Sequence, residues 1–140
     1  MEYKPVLEIV FYKDQNYFLI KAIGNLNVQD ITANLKEVFG SQNYKTGMNG
    51  LWDLSKADLY DLTPESVAIL AEEMMELAEN AEKTLAAIVS EKSINLGLIN
   101  LFTEHFQNDH TEIKVFDCLN DAIQWITQPV TTARKTSSLN

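Results

Sequence analysis

Residues 47–66 read GMNGLWDLSKADLYDLTPES and hold the two signals on which the fold depends. The run 51–54, LWDL, is a short apolar stretch after a glycine-containing loop, which is typical of a buried strand, and we predict that it ends near Asp53. The run 63–66, TPES, predicts the start of a helix: a threonine N-cap, a proline at the first helical position and an acid in the first turn. A strand that leads directly into a capped helix is the unit of an α/β fold.

Toward the N-terminus, two alternating apolar runs at 7–12 and 17–23 flank the turn-like residues 14–16 and predict a β-hairpin. A helix follows over residues 28–39, because apolar positions recur there at helical spacing behind Asn27 as a plausible N-cap. The hairpin therefore feeds a helix that leads to the strand at 51–54.

Toward the C-terminus, the helix that begins after Thr63 carries apolar residues at steps of three and four as far as Ala81. A buried strand at 84–90 comes next, followed by a third helix from an N-cap at Ser93 to about Asn108. Its inward-facing residues are predicted to be Ile94, Leu98, Leu101, Phe102 and Phe106. A strand at 112–116 and a short helix at 120–126 complete the order ββαβαβαβα. This order predicts an α/β fold with a mixed five-stranded sheet, parallel from the second strand onward, and helices covering its faces.

The length of 140 residues suits one domain, which we place at residues 1–127, with a small polar segment at 128–140 as a disordered tail. The formal net charge of −9 has the wrong sign for a nucleic-acid backbone. The single cysteine, Cys118, excludes an intrachain disulfide and favours a reducing, cytoplasmic compartment. Charged residues near the N-terminus argue against a signal peptide, and no apolar run is long enough to span a membrane.

The element order, the segment 47–59 and the ending 115–126 resemble the SpoIIAA-like group, which includes STAS domains, known as anti-sigma-factor antagonists, and SEC14-like lipid-binding relatives. The resemblance implies a SpoIIAA-like fold and a protein partner in bacterial regulation. It also marks Thr63 and Ser66 as candidate phosphosites, since Asp61 matches the aspartate of the STAS phosphorylation motif. Pro64 and Glu65 replace the second serine and the glycine of that motif, and Thr63 is more readily explained as a helix cap.

The acidity is concentrated in one part of the chain. Residues 53–91 contain ten acidic and two basic side chains, so ten minus two gives −8 of the total −9. A charged helix face is usually a solvated surface, but it also steers a basic partner. Parallel sheets form sites at the carboxyl ends of their strands, which directs attention to Asp53 and the loop to Asp61, to Ser90 and Lys92 after the next strand, and to Asp117 and Cys118 after the last. The leading hypothesis uses the first of these loops together with the start and the acidic face of the second helix. The residues of this partner-binding hypothesis are Asp58, Asp61, Thr63, Glu65, Glu72 and Glu76.

The third helix carries more apolar residues than one contact with a sheet requires. Packing against the second helix, a homodimer interface or a pocket for an apolar ligand would each account for the excess. The pocket hypothesis places Met74, Leu98 and Phe102 around a ligand between the second and third helices.

The sequence contains no motif that is typical of a catalytic site or a metal site. His105 and His110 are five residues apart, which does not align two imidazoles on one helical face for metal binding. The sequence has no glycine-rich phosphate loop and no serine nucleophile elbow, so we expect no cofactor and no enzyme activity. The leading hypothesis is a non-catalytic domain that binds a protein, and the alternative is a carrier of a small apolar ligand or lipid.

Overall fold

The fold is seen in a computed structural model that describes residues 5–77, 83–106 and 110–128. The predicted tail beyond Gln128, and the predicted positions Ala81 and Asn108, lie outside these residues. The strands are β1 (Val6–Tyr12), β2 (Tyr17–Asn25), β3 (Asn49–Asp58), β4 (Thr84–Val89) and β5 (Thr111–Phe116), and the helices are α1 (Val28–Phe39), α2 (Pro64–Leu77), α3 (Ser93–His105) and α4 (Leu119–Ile126).

The five strands form one sheet in the order β1-β2-β3-β4-β5, with β1 antiparallel to β2 and the other neighbours parallel. The chain moves one strand at a time in the same direction, so right-handed crossovers place α1, α2 and α3 on one face. Helix α4 packs on the other face, against β3, β4 and β5. The predicted mixed five-stranded α/β architecture is confirmed, with three helices on one face and one on the other.

In the core beneath α1, α2 and α3, the rings of Phe18 and Trp52 pack directly against the backbone of Gly50. A Cβ atom at this position would lie 2.6 Å from Cζ of Phe18 and 2.7 Å from the Trp52 ring, closer than real side chains come. With glycine there, the two rings meet edge to face with centroids 5.4 Å apart, a favourable aromatic geometry. Both rings contribute to the apolar layer on this side of the sheet.

The strand β3 is longer than predicted. It runs to Asp58 rather than ending near Asp53, and its register with β2 shifts between the pairs Lys21–Asp53 and Ile23–Lys56. Asp53 is buried, and its Oδ1 accepts hydrogen bonds from the backbone N–H of Ser55 at 3.1 Å and from the Ser55 hydroxyl at 2.7 Å. The polar residues that resemble a strand end therefore form a bulge, after which the strand resumes.

The helices agree with prediction at most boundaries. Helix α1 has the predicted bounds, and the Asn27 side chain caps it by accepting a hydrogen bond from Asp30 N–H at 2.8 Å. In α3 the prediction was wrong at both ends. Lys92 occupies the N-cap position and Ser93 is the first helical residue, and the helix ends at His105, with the extended Phe106 as its C-cap, before it reaches Asn108. Ile94, predicted to point inward, is 58% exposed, whereas Asn95 is fully buried.

Candidate functional site

The carboxyl ends of β2, β3 and β4 meet at one edge of the sheet, where an ion pair joins two elements. Lys92, at the start of α3, places its Nζ 2.8 Å from Oδ1 of Asp58 at the end of β3. The same ammonium donates a hydrogen bond to the carbonyl of Ala57 at 3.1 Å. Both charged side chains are about two-fifths exposed, so solvent screens the pair. Its main consequence is geometric, because it fixes the end of β3 against α3.

Asn95 reinforces this junction from inside the protein. Its Oδ1 accepts a hydrogen bond from Leu59 N–H at 3.2 Å, and its Nδ2 donates to the Ala57 carbonyl at 2.9 Å. A second contact joins Nδ2 to the Ser90 hydroxyl at 3.4 Å. Asn95 and Ser90 are both buried. The amide therefore satisfies backbone groups at the end of β3 and at the start of the β3–α2 loop (residues 59–63) that water cannot reach.

The β3–α2 loop is also held from the β2 side. The side-chain amide of Asn25, the last residue of β2, donates a hydrogen bond to Oδ2 of Asp61. Leu26 N–H donates to the carbonyl of Asp58 at 3.0 Å. Of the two aspartates in the partner-binding hypothesis, Asp58 therefore ends β3 and Asp61 lies in the loop after it, and this segment is anchored from both sides.

Thr63 acts as the predicted cap of α2. Its hydroxyl accepts a hydrogen bond from Ser66 N–H at 3.1 Å, and the Ser66 hydroxyl lies 2.8 Å from Thr63 N. This reciprocal pair is a capping box with serine in the place usually taken by glutamate. A phosphate on either hydroxyl would disrupt this pairing and would lie beside the acidic residues Asp61 and Glu65. Phosphorylation at these positions stays a prediction.

The outward face of α2 is acidic with an apolar centre. Glu65, Glu72 and Glu76 are all exposed and follow one another at steps of seven and four residues, which places them on one stripe of the helix. Ile69 occupies the same stripe and is 51% exposed. The opposite stripe contains the buried residues Val67, Leu70, Ala71 and Met74.

Two more exposed apolar side chains belong to the segments on either side of this helix, the loop before it and the neighbouring helix α3. Tyr60, in the β3–α2 loop, is 60% exposed, and Ile94, in the first turn of α3, is 58% exposed. Ile94 precedes Leu98 by one helical turn, and Leu98 packs against the cluster that includes Val67 of α2. We name the whole set the acidic–apolar surface; it consists of Tyr60, Asp61, Glu65, Ile69, Glu72, Glu76 and Ile94.

The three residues of the pocket hypothesis also come together. Met74, Leu98 and Phe102 line a cavity of about 100 Å³ between the sheet and the layer formed by α1, α2 and α3. The cavity extends farther under the helices than predicted, since residues of the sheet such as Trp52 and Ala86 also line it.

Within the three described ranges, no group of three or more histidine, cysteine, aspartate or glutamate side chains is arranged to hold a metal ion. In the same part of the chain, no helix is both long enough and apolar enough to cross a membrane.

Several contacts that shape this edge could not be predicted from the sequence, although the position of Lys92 after a strand could. Asn95 and Lys92 act on residues more than thirty positions earlier in the chain, and nothing local in the sequence indicates such partners. Ile69 could have been found, because its position on the helix falls between the glutamates and opposite Val67 and Leu70.

The fold has a counterpart among solved structures. It is similar to a crystal structure of an uncharacterized protein of the DUF3478 family from Shewanella loihica, which is described as having a SpoIIAA-like fold. The similarity covers 90% of this chain and 98% of that chain, with a TM-score of 0.52 and 18% sequence identity. No protein-family model and no curated protein matches this chain. At this identity the similarity shows the fold alone, and that fold is SpoIIAA-like.

Proposed function

We propose that this chain, whose fold is SpoIIAA-like, is a non-catalytic cytoplasmic domain that binds a protein partner through its acidic–apolar surface. The partner presents basic side chains around an apolar contact. The surface combines the loop after β3 with the start and outward face of α2, the region that the residue pattern and the family resemblance both indicate.

One observation carries this proposal: Tyr60, Ile69 and Ile94 are the three most exposed large apolar side chains of the described residues, and they lie in the loop before α2, on the outward stripe of α2 and in the first turn of α3, which packs against α2. Exposing such side chains to water costs free energy that burial in an interface recovers. Protein interfaces commonly place apolar and aromatic contacts at the centre and charged residues at the rim.

The charge of the surface specifies the chemistry of the partner. Four of its seven residues are acidic, and Lys92, a nearby cation, is already paired with Asp58. A basic partner would be attracted over a distance of about 10 Å at ordinary salt, so its association rate should fall as salt is added. Affinity itself would come mainly from burial of the apolar residues.

Affinity capture with matched charge variants tests the proposal. The test variant, Glu72→Lys with Glu76→Lys, reverses two charges of the acidic–apolar surface. The control, Glu8→Lys with Glu112→Lys, reverses two exposed acids on the α4 side of the sheet, and both variants change the net charge from −9 to −5. All four positions are exposed, so both proteins should fold normally.

We expect the wild-type protein and the control variant to capture a partner protein that the test variant fails to capture. Binding of that partner must then be reproduced with both proteins purified. Equal recovery with both variants would show that the acidic face of α2 is not the site, and a partner lost only with the control would place it on the opposite face.

A further inference from the structure

We propose that the cavity beneath α2 and α3 is a binding site for a compact apolar molecule, about the size of one hydrocarbon ring. This goes beyond partner binding and does not depend on it. The cavity has a volume of about 100 Å³ and is lined from the sheet by Trp52, Ala86 and Ile113 and from the helices by Val67, Met74 and Phe102, among others.

Empty space of this size beneath a layer of helices leaves part of the apolar packing incomplete. Interiors are packed as densely as organic crystals, and voids larger than a water molecule are few. Each side chain that faces an empty space loses dispersion contacts that a neighbouring atom would otherwise supply. An apolar molecule that fills the cavity would restore these contacts.

The lining offers water few polar partners. All residues around the cavity are apolar except Asn34, on α1, and Thr111, at the start of β5. The Thr111 hydroxyl is already hydrogen-bonded to the Thr84 hydroxyl at 3.2 Å. A buried water normally needs two to four polar partners, and apolar cavities that lack them stay dry and accept apolar guests.

The volume limits the class of ligand. An apolar cavity of roughly 150 Å³ is known to accept benzene or xenon, so about 100 Å³ accommodates xenon at once and a single ring after a small adjustment. A second cavity of about 30 Å³ shares Trp52, Met74, Ala86 and Phe106 with the first. Since methionine side chains are flexible, movement of Met74 would join the two spaces. A long acyl chain has several times the volume of one ring, so the site favours a compact ligand over a lipid.

Two adjacent alanines of β4 provide matched variants. Ala86 lines both cavities, whereas Ala87 is fully buried in the cluster formed with α4 on the opposite face of the sheet. Ala86→Val adds two carbon atoms into the empty space. Ala87→Val adds the same two atoms where the packing is already complete.

A benzene titration followed by methyl NMR tests the proposal on the full chain. We expect saturable shifts confined to methyl groups around the cavity, such as those of Val67, Ile99 and Ile113, at least tenfold weaker binding in Ala86→Val, and binding within twofold of wild type in Ala87→Val. An absence of saturable shifts in the wild-type protein, or an equal loss in both variants, would overturn the proposal. Displacement of benzene by hexadecanoic acid would overturn the size limit.

A crystal of the wild-type protein pressurised with xenon keeps the proposal testable if a variant does not fold. We expect one xenon peak enclosed by Met74, Ala86 and Phe102. Xenon peaks elsewhere and none in this cavity would contradict the assignment.

Discussion

Removing the Asn95 amide should destabilise the protein far more than removing an exposed amide from the same helix. Asn95→Ala deletes three hydrogen bonds and leaves Leu59 N–H, on a buried residue, without its acceptor. The Ala57 carbonyl keeps its hydrogen bond from Lys92 and is not orphaned.

The magnitude follows from these contacts. An orphaned buried donor costs about 1–3 kcal/mol, and each lost neutral hydrogen bond costs about 1 kcal/mol net. Allowing for the weak contact at 3.4 Å to Ser90, we expect the free energy of unfolding to fall by about 3 kcal/mol. For a chain of this size that corresponds to a drop of roughly 10 °C in the melting temperature.

Urea unfolding measures this loss, with the fluorescence of Trp52 and Trp125 as the probe. The matched control is Asn100→Ala, because Asn100 is exposed on the same helix; we expect a change of no more than about 0.5 kcal/mol there. A loss below about 0.5 kcal/mol for Asn95→Ala, or equal losses in the two variants, would refute the role given to this amide.

Three other changes have defined outcomes. Thr63→Ala removes the hydroxyl that caps α2 and should lower the unfolding free energy by about 1 kcal/mol; an unchanged urea midpoint would contradict the cap. Burial, and to a lesser degree the neighbouring Tyr12, raises the pKa of Tyr17 above its usual 10.0. The folded state therefore holds this proton more tightly than the unfolded chain, so this contribution to stability is complete below pH 10 and is lost as the pH rises through the raised pKa. That alkaline loss should be smaller in Tyr17→Phe when urea midpoints are compared across pH 10. Ala86→Val should keep or raise the melting temperature because it fills a void, whereas Ala87→Val should lower the unfolding free energy by about 1–3 kcal/mol through overpacking; the reverse order would show that the cavity is not available space.

Local signals predicted the elements well where the determinants are close in sequence. The Asn27 cap and the helical spacing after it gave the bounds of α1, and Thr63 with Pro64 gave the start of α2. The predicted end of β3 was wrong because Asp53 accepts a hydrogen bond from the Ser55 hydroxyl inside a bulge, and the strand continues beyond it. In the sequence, a polar pair of this kind cannot be distinguished from a strand end.

The candidate site was predictable only in part. The acidic residues of α2 and the cavity residues Met74 and Leu98 follow from helical spacing. The contacts of Lys92 and Asn95 with the end of β3 depend on the packing of α3 beside that strand, which no local pattern encodes. The packing of α3 also explains why Ile94 is exposed. The neighbouring Asn95 is the residue that faces inward, where its amide bonds to the β3–α2 loop, and Ile94 is left on the outer side of the helix.

The affinity of the purified partner for charge-matched variants, measured by calorimetry over a range of salt concentrations, tests the central claim most directly. The account predicts at least tenfold weaker binding when Glu72 and Glu76 are both replaced by lysine, and binding within twofold of wild type when Glu8 and Glu112 are replaced instead. It also predicts that the wild-type affinity falls as salt is added. Unchanged affinity in the first variant, or an equal loss in both, would contradict the assignment of partner binding to the acidic–apolar surface.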